Sequence, residues 1–421
     1  MSTQIFSAKK GKITDEIKAA ATAEQIDPKK LMKSVAKGHT VITKNIKHKI
    51  EPIAIGSLVS VKINANIGTS KAFNNAEEEF EKAKIAVKYG SDTIMDLSTA
   101  GNLKEMRSNL LEKIPVPLGT VPIYDICQKK SFLDATEDEI IDVFISHMKL
   151  GIDFITVHAG ITKNVAEKYS KKGRLAGIVS RGGALLYQWM LHNNKENPLY
   201  SNFQTILDTA NELDVVLSLG DALRPGSLND AGDYFQIAEL KTLGKLVKIA
   251  RKSNVQCIVE GPGHVPINQI AKQMHMEKKY CHNAPFYVLG PLVTDLGAGY
   301  DHITAAIGGA IAAMHGADFL CYVTPSEHLG LPNKEDVRAG TVATKIAAHA
   351  VNLTRFPHLA KRDNEVSKAR FDLNWKKQFE LLLDGEKAQE IYCSKKSSLD
   401  SCTMCADLCP MKLSRVSNKY Q

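Results

Sequence analysis

The chain has 421 residues, which is long for one small domain but fits a single barrel that carries extensions. Its hydrophobic fraction of 44% and charged fraction of 24% are those of an ordinary globular protein, and they exclude a largely disordered chain. The net charge of +8 is spread through mixed lysine and glutamate stretches without interleaved aromatic residues, so we expect a solvated lysine-rich surface and no nucleic-acid partner.

The amino terminus and the cysteines indicate the compartment. No apolar segment at the amino terminus resembles a signal peptide, and the most apolar stretch, Ala305–Met314, is about half as long as a membrane span. Eight cysteines, three of them in one short motif, fit a reducing compartment better than a disulfide scaffold. We therefore expect a cytoplasmic protein without a membrane partner.

Residues 1–70 are predicted to form a small N-terminal domain that contains helices and strands. Asp27 and Pro28 provide an N-cap and a first-turn proline for a helix that Gly38 ends. Residues 71–355, which follow, alternate short apolar runs with amphipathic stretches at helical spacing.

Eight apolar runs are predicted as strands. They are Thr93–Thr99, Val116–Tyr124, Asp153–Gly160, Gly177–Gly183, Val215–Gly220, Gln256–His264, Phe286–Pro291 and Phe319–His328. Regular alternation of strand and helix favours right-handed βαβ units and a parallel sheet. Eight such units predict an α/β fold of the (β/α)8 TIM-barrel type. A doubly wound open sheet is the alternative, but no G-x-G-x-x-G opens the first unit.

Polar residues recur at one end of these predicted strands, where the active-site loops of a barrel gather. Ser180-Arg181-Gly182-Gly183 precedes a helix, so it predicts either a phosphate site or a simple turn. Asp221 and Arg224 either pair with each other or bind the polar edge of a substrate. The sequence thus places a functional site at one edge of the barrel.

Three histidines also end predicted strands. Glu260 and His264 bracket a rigid Gly-Pro-Gly turn, and His328 ends the last predicted strand. His264 and His328 are candidate ligands of one metal ion, although a lone histidine is more often a core residue. His158 is the third of these histidines.

Residues 356–421 are predicted to form a C-terminal segment with a helix near Trp375–Leu383. Near its end stands the motif Cys402-x2-Cys405-x3-Cys409. Three such thiolates suit a [4Fe–4S] cluster that keeps one iron open. The alternatives are a structural zinc site that recruits Cys393, or thiols without a ligand.

Several long strings together resemble the phosphomethylpyrimidine synthase family. The strings are Asn64-Ala-Asn66-Ile-Gly-Thr-Ser, Met95-Asp-Leu-Ser-Thr, Gly119-Thr-Val-Pro-Ile-Tyr124, Ser180-Arg-Gly-Gly, Leu223-Arg-Pro-Gly, Glu260-Gly-Pro-Gly-His264, Ala284-Pro-Phe-Tyr287, Gly299-Tyr-Asp-His302 and Glu327-His-Leu-Gly-Leu-Pro. The resemblance implies a radical S-adenosylmethionine lyase of thiamine biosynthesis, with a barrel and a C-terminal cluster segment. It also implies a homodimer and an external electron donor.

The implied substrate is 5-aminoimidazole ribotide, and the implied product is 4-amino-5-hydroxymethyl-2-methylpyrimidine phosphate, with formate and carbon monoxide. The resemblance implies these substrate contacts: Asn66, Met95, Tyr124, His158, Ser180, Arg181, Gly182, Asp221, Ala222, Leu223, Arg224, Glu260 and Tyr287. It assigns a divalent metal, zinc or iron, to His264 and His328, and the cluster to Cys402, Cys405 and Cys409.

The sequence departs from the family pattern at a few positions that concern the product. Ala222 replaces the usual glycine, and the last two cysteines are separated by three residues rather than the four of the long family members. The sister family of 5-hydroxybenzimidazole synthases shares the motifs and the substrate, so that product is the alternative. A zinc-dependent barrel hydrolase and a non-catalytic metal- or RNA-binding protein are hypotheses from other classes.

Overall fold

The structure, a computed structural model, describes residues 3–395 and 400–415. The chain divides into two compact units, Met1–Val351 and Asn352–Gln421. Over the described ranges, no helix is both long and apolar enough to cross a membrane. The three-part domain division at residues 70 and 355 stays a prediction.

A closed barrel of eight parallel strands dominates the first unit. The described residues contain these strands, of which the last eight form the barrel: β1 (Thr40–Thr43), β2 (Ile53–Gly56), β3 (Lys62–Ile67), β4 (Thr93–Asp96), β5 (Leu118–Thr120), β6 (Phe154–Val157), β7 (Val216–Leu219), β8 (Cys257–Gly261), β9 (Phe286–Leu289) and β10 (Phe319–Cys321). The barrel closes in the order β10-β3-β4-β5-β6-β7-β8-β9, whereas β1 and β2 form a separate antiparallel pair. The predicted (β/α)8 barrel is confirmed.

Helices connect the barrel strands, as the alternating pattern predicted. The helices that begin in the first unit are α1 (Gln4–Lys9), α2 (Asp15–Ala23), α3 (Pro28–Lys37), α4 (Ala76–Lys88), α5 (Leu103–Lys113), α6 (Ile126–Lys129), α7 (Glu137–Leu150), α8 (Lys163–Lys172), α9 (Arg181–Asn193), α10 (Pro198–Ser201), α11 (Phe203–Leu213), α12 (Tyr234–Lys252), α13 (Ile270–Tyr280), α14 (Asp301–Met314) and α15 (Lys334–Arg355). Those of the second unit are α16 (Ala360–Phe371), α17 (Trp375–Leu381), α18 (Gly385–Ser394) and α19 (Pro410–Leu413).

The predicted start and end of α3 are confirmed. The Asp27 side chain accepts a hydrogen bond from the Lys29 N–H at 2.8 Å, and Pro28 occupies the first turn, where no N–H partner is needed. Gly38 ends the helix with φ +69°, a left-handed conformation that glycine adopts without a steric cost.

The N-terminal helices and the β1–β2 pair lie at the amino-terminal end of the barrel strands. Gln256, which precedes β8, accepts from the Ile42 N–H at 2.7 Å and donates to the Ile42 carbonyl at 3.0 Å. Asp153, which precedes β6, accepts from the Asn45 N–H at 2.8 Å. This packing is at the end of the barrel opposite to the polar strand ends.

The predicted strand Gly177–Gly183 is wrong. The structure has a loop there, and α9 already begins at Arg181. Gly177 has φ +70°, which a strand does not allow, and the Val179 side chain is 42% exposed. Glycines made this run resemble the end of a strand. In the structure, Gly177 lies in the loop before α9, and Gly182 and Gly183 lie in the first turn of that helix.

The barrel strand that the sequence reading missed is β3, which lies within the predicted N-terminal domain. It pairs with β10 and β4 and so closes the barrel. In the sequence of Lys62–Ile67, Asn64 and Asn66 alternate with apolar residues. The amides of these two residues face other polar groups inside the barrel. These polar residues on one face of the strand interrupt the apolar run, so the strand was not recognised in the sequence.

Candidate active site

A cavity opens at the carboxyl-terminal end of the barrel strands. Eight predicted substrate contacts line it: Asn66, Met95, Tyr124, His158, Asp221, Arg224, Glu260 and Tyr287. The lining also includes Leu97, Val121, Thr156, Gly261, Val288, Leu289 and Cys321. The other predicted contacts, Ser180, Arg181, Gly182, Ala222 and Leu223, lie outside this lining. The barrel therefore brings residues from distant strands to one concave surface.

Glu260 forms an acidic wall of the cavity. Its Oε1 accepts hydrogen bonds from the Ser218 hydroxyl at 2.5 Å and the Thr156 hydroxyl at 3.0 Å. Burial, and then the neighbouring Asp221 carboxylate, raise the pKa of Glu260 to about 7. Glu260 can consequently hold or release a proton near neutral pH.

Asp221 and Arg224 pair with each other beside Glu260. The Arg224 guanidinium donates to Asp221 Oδ1 at 3.0 Å, so the predicted pairing is present in the free chain. Burial raises the pKa of Asp221 to about 6, although the guanidinium opposes that shift. The Asp221 and Glu260 carboxyls and this guanidinium together give the cavity a polar wall that suits a planar nitrogen-rich ligand.

The adjoining wall, formed by residues of β9, β10 and β3, is a chain of neutral hydrogen bonds. The Asn64 Nδ2 donates to Asn66 Oδ1 and to the Tyr287 hydroxyl, each at 2.8 Å. The Asn66 Nδ2 contacts Cys321 Sγ at 3.1 Å, and burial raises the pKa of this thiol to about 12. This wall keeps its side chains uncharged and fixed in orientation.

The start of α9 reaches the cavity through His158 and Tyr124. Ser180 Oγ lies 3.3 Å from His158 Nε2 and accepts from the Gly183 N–H at 3.2 Å. A Cβ on Gly182 would lie 2.6 Å from the His158 ring, so only glycine fits there. The Arg181 guanidinium lies 4.9 Å from the centre of the Tyr124 ring. Backbone N–H groups at this helix start are suited to an anion.

The loop after β7 is held from behind by a residue that the sequence did not single out. Glu239, on α12, accepts from the Leu223 N–H at 2.7 Å and is fully buried. Ala222 lies against the first turn of α9, since a Cβ on Gly183 would come within 2.3 Å of its carbonyl oxygen. These contacts fix Ala222 and Leu223 as parts of the loop that carries Asp221 and Arg224.

His264 and His328 come together in the first unit. Their ring centres are 5.3 Å apart, and Nδ1 of each ring lies 2.8 Å from a carboxylate, Asp295 for His264 and Asp301 for His328. A carboxylate on one ring nitrogen is the usual support for a histidine that binds a metal through the other. Among the described residues, no three His, Cys, Asp or Glu side chains form a group that could hold a metal ion.

The three motif cysteines lie on a compact turn of the second unit. The Ala406 N–H donates to the Cys402 carbonyl at 3.2 Å, and the Leu408 N–H donates to the Cys405 carbonyl at 2.9 Å. All three thiols are free, and Cys409 is buried. Free thiols on one short turn are a suitable donor set for an iron–sulfur cluster. Cys393, the zinc alternative's fourth thiol, is exposed on α18.

Sequence reasoning did not select Thr156, Ser218, Asn64 or Cys321. Asn64 and Thr156 lie two positions before the selected residues Asn66 and His158. Ser218 and Cys321 pair with Thr156 and Asn64 in neighbouring strands, so strand register would have been needed to find them. The partners of the two histidines, Asp295 and Asp301, lie in or next to loops and gave no periodic signal.

Comparison with known proteins covers nearly the whole chain. Residues 3–416 match the model of the radical SAM ThiC family. Phosphomethylpyrimidine synthases from Pyrococcus furiosus and Pyrococcus abyssi are 56% identical over 419 residues and 57% identical over 417 residues. The alignments cover 98% of this chain in both cases, and 98% and 97% of the two relatives.

Another phosphomethylpyrimidine synthase, from Thermococcus gammatolerans, is 55% identical over 417 residues, and 98% of each chain is covered. Among solved structures, a dihydropteroate synthase from Coxiella burnetii aligns at 12% identity with a TM-score of 0.41, over 73% of this chain and 99% of that one. A TM-score of 0.41 at 12% identity is too low to relate this chain to that synthase. The family match and the three synthases agree with each other over the full length, and the chain belongs to the radical SAM ThiC family.

Proposed function

We propose that this chain converts 5-aminoimidazole ribotide into 4-amino-5-hydroxymethyl-2-methylpyrimidine phosphate, the thiamine pyrimidine, with release of formate and carbon monoxide. The observation that carries the proposal is that eight residues at the substrate-binding positions of the family line one cavity. The alternative product, 5-hydroxybenzimidazole, is not favoured, because relatives at 48–57% identity are named phosphomethylpyrimidine synthase.

Family membership implies an iron–sulfur cluster and S-adenosylmethionine as cofactors. Cys402, Cys405 and Cys409 are the proposed ligands of a [4Fe–4S] cluster, since they are free thiols on one turn. When bound, such a cluster supplies the electron that starts radical chemistry on S-adenosylmethionine. An external one-electron donor must then replace that electron. The eight free thiols favour a reducing compartment, in accord with a cytoplasmic location.

The ribotide phosphate is proposed to bind at the start of α9. Ser180, Arg181 and Gly182 offer a guanidinium and backbone N–H groups there, and the helix dipole favours an anion. Arg181 lies over Tyr124, which lines the cavity, so the phosphate end and the ring end of one ligand can be held together.

The aminoimidazole is proposed to lie in the cavity against both of these adjoining walls. Glu260 exchanges a proton with a ring nitrogen or the amino group, because the pKa of this carboxyl is about 7. Asp221 and Arg224 orient one part of the ring edge, and Tyr287 and Asn66, on the adjoining wall, orient another. The apolar lining residues, such as Met95, exclude water from a reactive ligand.

The experiment that tests substrate recognition is calorimetric binding to the cluster-free chain. The ribotide should bind at least about tenfold more tightly than the riboside that lacks the phosphate, because one charge-assisted hydrogen bond contributes about 1.5–3 kcal/mol. Equal affinity for the two compounds would argue against a phosphate site at α9.

A divalent zinc or iron ion is proposed to bind His264 and His328. Both rings keep Nε2 available while Nδ1 is held by a carboxylate. His264→Ala should weaken binding of this metal at least about tenfold without loss of acid-labile sulfide, since the cysteines lie in the other unit. Metal and sulfide analysis of the purified variant checks this.

The control for His264→Ala is His275→Ala, which removes an exposed histidine on α13 whose ring lies against the His315 ring. That variant should keep its full metal content. A parallel fall of metal and sulfide in His264→Ala would contradict two separate sites.

A homodimer is also proposed, and α14 offers a surface for it. Ile303, Ile307 and Met314 lie on one face of this helix and are 48%, 46% and 51% exposed, and Tyr300, directly before the helix, is 67% exposed. An apolar stripe at helical spacing on a water-exposed face is typical of a subunit contact.

A further inference from the structure

Two hydroxyl groups inside the barrel act on the same oxygen atom of Glu260. Thr156 on β6 and Ser218 on β7 are register partners in adjacent parallel strands, and β8, which carries Glu260, is next to β7. Both hydroxyls donate to Glu260 Oε1, at 3.0 Å and 2.5 Å. Neither hydroxyl belongs to the substrate contacts of the family motifs described above, and both are buried.

The second oxygen of Glu260 is in a different situation. Oε2 has no hydrogen-bond partner among the described residues, and the Glu260 side chain keeps some exposure where it lines the cavity. A carboxyl oxygen that already accepts two hydrogen bonds is a poor site for a proton, so a proton on Glu260 resides on Oε2. Oε2 is therefore the Glu260 oxygen that is left to donate a hydrogen bond to a ligand in the cavity.

Several charged or titratable groups face Glu260 from the surrounding elements. They are Asp221 and Arg224 after β7, Tyr124 after β5, His158 after β6 and Tyr287 on β9. Burial and Asp221 raise the pKa of Glu260 to about 7, whereas the bonds from Ser218 and Thr156 lower it. Removal of either hydroxyl should therefore raise that pKa further.

We propose that Thr156 and Ser218 are positioning residues that bind one oxygen of Glu260 and leave the protonated oxygen directed at the cavity. The ligand group that this arrangement recognises is an unprotonated ring nitrogen, a hydrogen-bond acceptor. The identification of this group as the ligand's ring nitrogen rests on the proposed function, because an aminoimidazole ribotide carries such a nitrogen.

Infrared titration of the cluster-free full chain tests the proposal. The carbonyl band of protonated Glu260, identified by its loss in Glu260→Gln, should titrate with a midpoint near pH 7 in the native chain. Ser218→Ala and Thr156→Val should each raise that midpoint by about one pH unit, the expected effect of one lost hydrogen bond to a charged group. Thr156→Ser, which keeps the hydroxyl, should leave it in place.

Binding of the ribotide gives the second measurement. Ser218→Ala and Thr156→Val should bind it at least about tenfold more weakly than the native chain, and Thr156→Ser should bind it normally. Unmoved midpoints in both hydroxyl-free variants, with native-like ribotide binding, would overturn the positioning role. Failure of the native chain to bind the ribotide, with the midpoints shifted as expected, would instead count against the proposed substrate.

Discussion

Cys405→Ser is expected to abolish product formation while the barrel remains folded. Turnover should fall by more than about a thousandfold, because radical initiation depends on a cluster that needs all three thiolates of its ligand set. The barrel should be unaffected, since Cys405 lies in the second compact unit and contributes to none of the barrel strands. Iron and sulfide analysis, turnover and far-ultraviolet circular dichroism check the three parts of this result.

Cys393→Ser is the matched control for Cys405→Ser. Cys393 is a free, exposed thiol on α18, outside the three-cysteine motif. The control should keep its iron, sulfide and turnover. If Cys393→Ser lost bound metal as completely as Cys405→Ser, a four-cysteine zinc site would explain the motif better than a cluster.

Arg107→Met is expected to lower the free energy of unfolding by about 3–5 kcal/mol, the usual cost of removing one partner of a buried ion pair. Arg107 is 2% exposed on α5 and donates to Asp96 Oδ2 at 2.7 Å and to both oxygens of Asp125 at 2.7 and 2.8 Å. Its Nη1 also lies 2.8 Å from His147 Nε2. Methionine would leave the Asp96 carboxylate buried without a cation.

Urea unfolding of Arg107→Met and of Lys104→Met measures this difference. Lys104 is exposed on the same helix, so its replacement should change stability by less than about 0.5 kcal/mol. Similar midpoints for the two variants would contradict a stabilising network. Asp125 directly follows Tyr124, so Arg107→Met should also weaken ribotide binding.

The sequence was sufficient to predict the barrel because its strands are buried on both faces and read as short apolar runs. Phe154–Val157 and Val216–Leu219 are examples in which every residue is buried. β3 was missed because its asparagines belong to the polar interior of the site. Gly177–Gly183 was mistaken for a strand because glycine and isoleucine in a loop can imitate one.

The candidate site was predictable from local pattern where a residue follows the end of a predicted strand or precedes a predicted helix. Glu260 and His264 belong to the first class and Ser180–Gly183 to the second, and the family resemblance added Asn66. The hydroxyls of Thr156 and Ser218 could not be assigned to Glu260, because contacts between strands depend on a register that one sequence does not encode in its local pattern. The same holds for Glu239, which acts on the β7 loop from α12.

The proposed substrate contacts and the two histidines are each brought together by the barrel. Eight of the proposed contacts line one cavity, and Nδ1 of each histidine lies beside a carboxylate. The cysteines share a turn, but their cluster is assigned from the motif and the family. Turnover by the native chain would require the cavity, the two histidines and the cysteine turn to act together.

Anaerobic turnover of the native chain tests the central claim most directly. Reconstituted protein, S-adenosylmethionine, dithionite and 5-aminoimidazole ribotide would be combined, and the products identified by mass spectrometry. We predict 4-amino-5-hydroxymethyl-2-methylpyrimidine phosphate together with 5′-deoxyadenosine. Formation of 5-hydroxybenzimidazole, or no 5′-deoxyadenosine from protein with its full iron and sulfide content, would contradict the proposed function.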